Sequence, residues 1–74
     1  MNSGIIRAMK TPLQQAIANV GSQTKLAMLI GVSQPRISKW VAQNRLPAEF
    51  VLAIEKEAGV SRHDLRPDIY PIEI

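Results

Sequence analysis

Two short runs of apolar residues at helical spacing meet at Gly31, and this junction constrains the fold more than any other feature of the chain. Leu26, Ala27 and Ile30 precede the glycine; Val32, Ile37 and Trp40 follow it. Residues three or four apart share one face of a helix, so each run carries a single apolar stripe. Gly31 accepts the positive φ that a sharp corner requires. Val32 plugs that corner, and Ala27 is small where a second helix has to cross closely. The pattern predicts a helix-turn-helix over residues 23–43, two helices at a steep angle whose second member can enter a DNA major groove. The alternative is a helical hairpin with no role on DNA. That alternative has to account for a second helix whose exposed face is free of acids.

The flanking segments read as further short helices. Thr11-Pro12-Leu13-Gln14 is a helix start: Thr11 can accept from the amide three residues on, Pro12 suits the first helical position, and Gln14 can reach back. Leu13, Ala16, Ile17 and Val20 give its stripe, and Gly21 ends it. Ser22 opens the next helix. Ser33 is read as the N-cap of the one after, with Pro35 in its first turn. Asn44, Arg45 and Leu46 form a loop. Pro47 opens a fourth helix striped by Phe50, Val51, Ile54 and Ala58, with Glu49 in its first turn, where the helix dipole favours negative charge. Ser61 and Asp64 suggest a short fifth helical turn over residues 62–66, which Pro67 closes. The tail DIYPIEI reads as extended, with Pro71 confining it to an edge or an arm. Residues 1–10 are expected to be an N-terminal extension, residues 11–68 the domain, and residues 69–74 an arm.

The chain has 74 residues and a net charge of +3, but the sum conceals an asymmetry. Residues 1–46 carry six basic groups and no acid; residues 47–74 carry three basic groups and six acids. Such a distribution points the front half at a polyanion. A chance spread of charges is the plainer explanation, although exposed helix faces normally mix both signs. A chain this short builds a marginal core and gains from a partner copy. With no Cys and one His, it offers neither a disulfide framework nor a multi-histidine metal site. It also lacks a Gly-rich phosphate loop and paired carboxylates beside a nucleophile, so no catalytic residue, metal or cofactor is expected. His63 reads as a surface residue near a cap, with no catalytic partner. No apolar run reaches the length of a membrane span, and there is no secretory signal. The expected location is the cytoplasm, on the nucleoid.

With Ile37, Trp40 and Val41 turned inward, the second helix of the pair leaves Gln34, Pro35, Ser38 and Lys39 toward a groove. An amide can bond both the donor and the acceptor of an adenine edge, lysine can bond guanine acceptors, and proline can rest on a thymine methyl. Gln23 opens the preceding helix, where free backbone amides suit phosphate. Lys25, Arg36 and Arg45, with Lys10 beside them, would neutralise phosphates without reading sequence. For Gln34, Ser38 and Arg45 a plain solvated role is the alternative; Trp40 is read as core. Tyr70, Ile72 and Ile74 on the arm are the candidate dimer contact, unless the arm folds back on its own domain.

The stretch from Leu13 to Tyr70 resembles the Cro-like and YdaS-like small phage and prophage repressors. GSQTKLAMLIGVSQPRISKW carries the general DNA-binding signature, LPAEFVLAIEKEAG follows it, and VSRHDLRPDIYP, with its Asp-Leu-Arg-Pro-Asp run behind a Ser cap, is the more family-specific piece. The resemblance implies an all-α, compact four- to five-helix lambda-repressor-like domain with an extended C-terminal arm. It also implies repression at a two-fold operator in double-stranded DNA, bound by a homodimer. The motif's first position falls on Gln23, a phosphate contact in such repressors, and its base-reading positions fall on Gln34, Pro35, Ser38 and Lys39. Pro35 departs from the polar residue common there, which leaves it a methyl contact at most. The same motifs occur in antitoxins, so an autoregulating protein that neutralises a toxin partner stands as the alternative.

Overall fold

Thr11 starts the first helix by the mechanism its sequence suggests. In a computed structural model, which describes residues 10–72, its hydroxyl accepts from the Gln14 amide at 3.1 Å, and the Gln14 side chain accepts from the Thr11 amide at 3.0 Å. Helix α1 runs Pro12–Val20 and ends at Gly21. Helix α2 spans Gln23–Ile30 behind a Ser22 cap that accepts from the Lys25 amide. Helix α3 spans Gln34–Gln43 and ends at Asn44, whose φ of 50° is left-handed. Asparagine tolerates that conformation better than most side chains.

The remaining helices are short. Ala48–Phe50 forms a single 3-10 turn, α4 spans Val51–Ala58 and α5 spans Arg62–Leu65. The described residues are therefore all-helical, without a strand.

Three details differ from the sequence reading. Ser33 occupies the N-cap position of α3 but its hydroxyl caps nothing. Pro35 has no amide hydrogen to offer, and the Arg36 amide donates to the Ser33 carbonyl at 3.2 Å instead. The segment after Pro47 does not enter an α-helix directly. The Phe50 amide donates to the Pro47 carbonyl, and the resulting tighter turn sets the Phe50 ring 5.1 Å from that of Trp40. The tail is not extended up to Tyr70. Residues 67–69 turn, with the Ile69 and Tyr70 amides both donating to the Arg66 carbonyl. Tyr70 then packs on the core, its carbonyl bonded to His63 Nδ1 at 2.8 Å and its ring under the Arg62 guanidinium at 5.8 Å.

The core joins one face of each helix. Leu13 and Ala16 of α1, Leu26 and Ala27 of α2, Ile37 and Trp40 of α3, Leu46, then Val51, Ile54 and Ala58 of α4 and Val60 are buried. Leu26, Ile37, Val51 and Ile54 are shielded completely. Among the described residues, no polar or charged one is buried with them. Asn19 ties α1 to the end of α4, donating to the Ala58 carbonyl at 2.8 Å.

Candidate nucleic-acid interface

The α2–α3 corner positions the candidate site. Gly31 has φ 78° and ψ 33°, the left-handed conformation that turns the chain sharply. Its amide and that of Val32 both donate to the Ala27 carbonyl, at 2.9 and 3.0 Å. Ala27 is almost fully buried at this crossing. Burial of Ile37 and Trp40 against it fixes the rotation of α3 about its axis. That rotation leaves Ser33, Pro35, Arg36, Ser38, Lys39, Ala42 and Gln43 exposed and Gln34 half-buried.

Gln34 is half-covered because Gln23 lies against it. The Gln23 side-chain carbonyl accepts from Gln34 Nε2 at 2.6 Å and from Ser38 Oγ at 3.0 Å. One glutamine at the start of α2 thus orients two side chains on successive turns of α3. The arrangement leaves Gln34 its carbonyl oxygen and one amide hydrogen, the pair that an adenine edge requires. It leaves Gln23 both amide hydrogens, beside the unpaired backbone amides of the first turn of α2. Charge-neutral groups here face outward together with the exposed Pro35 and Lys39.

Cations surround this group. Lys25, Arg36, Lys39 and Arg45 are exposed, as is Lys10 at the start of the described chain. The ion pairs among the described residues are Arg62–Glu55 at 2.9 Å and Arg66–Asp68 at 2.6 Å, so neither neutralises the α2–α3 cations. Arg36 is not free in all directions. Its guanidinium stands 5.8 Å from the Trp40 ring centre and 5.5 Å from that of Phe50, which commits one face to cation–π contact and leaves its edge to solvent. The Arg66 fork holds the Asp68 carboxyl well below the usual range, to about 2. The Glu55 carboxyl is lowered by the Arg62 backbone amide and then by the Arg62 charge.

The eleven residues singled out from the sequence therefore fall into three groups. Gln23, Gln34, Ser38, Pro35 and Lys39 gather on one surface; Lys25, Arg36 and Arg45 lie exposed on the same two helices or the loop after them. Of the arm residues, Tyr70 is packed on its own core, Ile72 is exposed, and Ile74 lies outside the described residues. So do residues 1–9 of the expected N-terminal extension. The bridging role of Gln23 and the reach of Arg66 were not anticipated. An i, i+4 spacing could have revealed Arg36 on Trp40. Nothing local announces a bond between residues 23 and 34, which depends on how two helices cross. Among the described residues, no group of carboxylates and histidines gathers to hold a metal, and no helix is long and apolar enough to cross a membrane.

Comparison with known proteins places the chain in a family. Residues 13–74 match the model of a family described as "Bacterial toxin YdaS". A relative from Escherichia coli (strain K12), named "Putative transcriptional regulator YdaS", is 46% identical over 59 residues, covering 76% of this chain. The match spans 60% of that relative's length. No solved structure matches the chain. With the whole helix-turn-helix and the Asp-Leu-Arg-Pro-Asp run inside the matched region, the chain belongs to the YdaS family.

Proposed function

We propose that the protein is a sequence-specific DNA-binding transcriptional regulator that reads the major groove with α3. The observation that carries this reading is the acid-free face of α3, on which Gln34 and Ser38 are oriented by Gln23 and flanked by Lys39. Gln34, Pro35, Ser38 and Lys39 contact bases. Gln23, Lys25, Arg36 and Arg45 anchor the phosphates. The name of the Escherichia coli relative supports regulation as the role. A module this small covers little DNA, so a homodimer on two half-sites about one helical turn apart supplies the affinity. In that dimer Ile72 makes contact, while Tyr70 braces the turn behind it. Repression of a phage or prophage operator is the form of regulation the resemblance implies.

Selection of bound duplexes from a random pool tests the proposal, and a two-fold symmetric consensus is the expected result. Equal affinity for every duplex, or binding that ignores salt, would overturn it. Within that assay Lys39→Ala should lose about 1–3 kcal/mol of discrimination at one or two positions of each half-site. Lys25→Ala should instead weaken all duplexes alike and lower the magnitude of the salt exponent by about 0.9 per protomer bound.

The family's description supports a second reading, action within a toxin–antitoxin pair. The sequence expectation there was an antitoxin; the description names a toxin. Growth arrest on expression that persists after Gln34→Ala and Lys39→Ala would favour a toxic activity separate from DNA binding.

A further inference from the structure

The loop that carries Arg45 is held at both ends of a short span by contacts of different origin. Its first residues are fixed from within: the Asn44 amide donates to the Val41 carbonyl at 3.2 Å and the Arg45 amide to the Trp40 carbonyl at 2.9 Å. Beyond them the Leu46 side chain is buried in the core, but the backbone of the loop borders open space on two sides. A cleft of about 310 Å³ lies between the loop and α1, and a second of about 470 Å³ lies between the loop and α3. Arg45 and Leu46 line both. Burial of the Leu46 side chain anchors the loop at one point, and the direction of its backbone between the two clefts is left to a further contact.

Arg66 supplies that contact, a tether from another part of the chain. It lines both clefts. Its Nη1 donates to the Leu46 carbonyl at 2.6 Å, twenty residues away in sequence. Its Nε and Nη2 donate to the two Asp68 oxygens at 2.9 and 2.6 Å, which fixes the plane of the guanidinium. The Asp-Leu-Arg-Pro-Asp run is thereby explained in part: Pro67 sets the turn that returns Asp68 to Arg66. A lysine cannot make this fork, because it has one nitrogen and no planar geometry.

We propose that Arg66 is a positioning residue for the DNA-contacting loop: held in plane by Asp68, it fixes the backbone at Leu46 and so aims the Arg45 side chain at a backbone phosphate. The proposal rests on the DNA-binding reading for its consequence, while the tether itself can be tested without DNA. It is distinct from Arg66 contacting phosphate directly. Direct contact would make Asp68 a competitor, so Asp68→Asn would tighten binding, and Arg66→Lys would keep most of it. The tether predicts that both weaken it.

Two measurements decide the matter. The first is the salt dependence of binding for Arg45→Ala in the wild-type background and in Arg66→Gln, Arg66→Lys and Asp68→Asn backgrounds. Arg45→Ala should lower the magnitude of the salt exponent by about 0.9 per bound protomer in the wild type and by less than about half of that once the tether is cut. An equal loss in every background overturns the proposal, since a residue that only stabilises the fold would not change what Arg45 does. Arg66→Lys and Asp68→Asn carry the same comparison if Arg66→Gln fails to fold. The second is the rate of trypsin cleavage after Arg45 in the free protein, expected to rise about threefold or more in Asp68→Asn through easier local opening. An unchanged rate overturns the tether. If the wild-type protein binds no duplex in a salt-dependent way, the DNA reading fails and the cleavage rate alone judges the tether.

Discussion

At the scale of single residues, two hydroxyls at equivalent helix starts do different things. Thr11 accepts from the Gln14 amide within a complete capping box, whereas the Ser33 hydroxyl caps nothing because Pro35 and the Ser33 carbonyl preempt its partners. Thr11→Ala should therefore cost about 1 kcal/mol of stability, and Ser33→Ala only a few tenths, as read from paired urea melts. Ser33→Ala can still affect binding, since its hydroxyl is exposed at the start of α3. Asp68 gives a prediction in pH. Its carboxyl is depressed in the folded chain from 3.8 to about 2, first by hydrogen bonding from Arg66. A depressed carboxylate contributes stability above its unfolded value, and that contribution disappears as pH falls through the folded value. The stability contribution should therefore be lost between about pH 4 and pH 2, while the Ile69 and Tyr70 amide resonances of the folded chain should shift in a step centred near pH 2 that Asp68→Asn abolishes. A transition centred above pH 4 would contradict the Arg66 contact.

At the scale of elements, the α2–α3 corner is where sequence and structure agree most closely. Apolar spacing on each side of Gly31 was enough to define both helices, and burial of Ala27, Ile37 and Trp40 follows from it. Gly31→Ala isolates the backbone contribution, because a Cβ there would meet nothing within 4 Å. The cost is that of forcing a left-handed φ on an alanine, about 1–2 kcal/mol. Asparagine at the same position should restore part of it. A loss much above that range in thermal melts would mean that the corner has to move. The segment after Pro47 was less legible. Its apolar residues fit either a helix from Pro47 or a tight turn before one. Contact between Phe50 and Trp40, ten residues apart, decides in favour of the turn.

For the molecule as a whole, charge is divided between the two halves of the chain. The cations of α2, α3 and the following loop stay unpaired among the described residues, while in the acidic back half Glu55 pairs with Arg62 and Asp68 with Arg66. On the proposed reading, three phosphate-anchoring cations per protomer (Lys25, Arg36 and Arg45) give a salt exponent of about −2.7, roughly doubled in a dimer. Ile72 is 69% exposed, so Ile72→Asp should leave thermal stability nearly unchanged. If the arm joins two protomers, the substitution should halve the exponent and raise the dissociation constant for a two-fold site. Sedimentation of the free protein and gel-shift titration together check this. An unchanged exponent would move the dimer contact elsewhere.

The sequence by itself determined the first three helices, the Thr11 cap and the acid-free face of α3, because each depends on neighbours within about one turn: a hydroxyl three residues before an amide, a glycine after the last apolar position, a stripe at helical spacing. Tertiary structure alone decided that Gln23 grips Gln34 and Ser38, that Arg66 reaches Leu46, and that Tyr70 turns back onto the core. Those contacts join residues separated by seven to twenty positions or more, and their existence depends on crossing angles and on which surface each helix has left to cover. Local spacing carries no record of either.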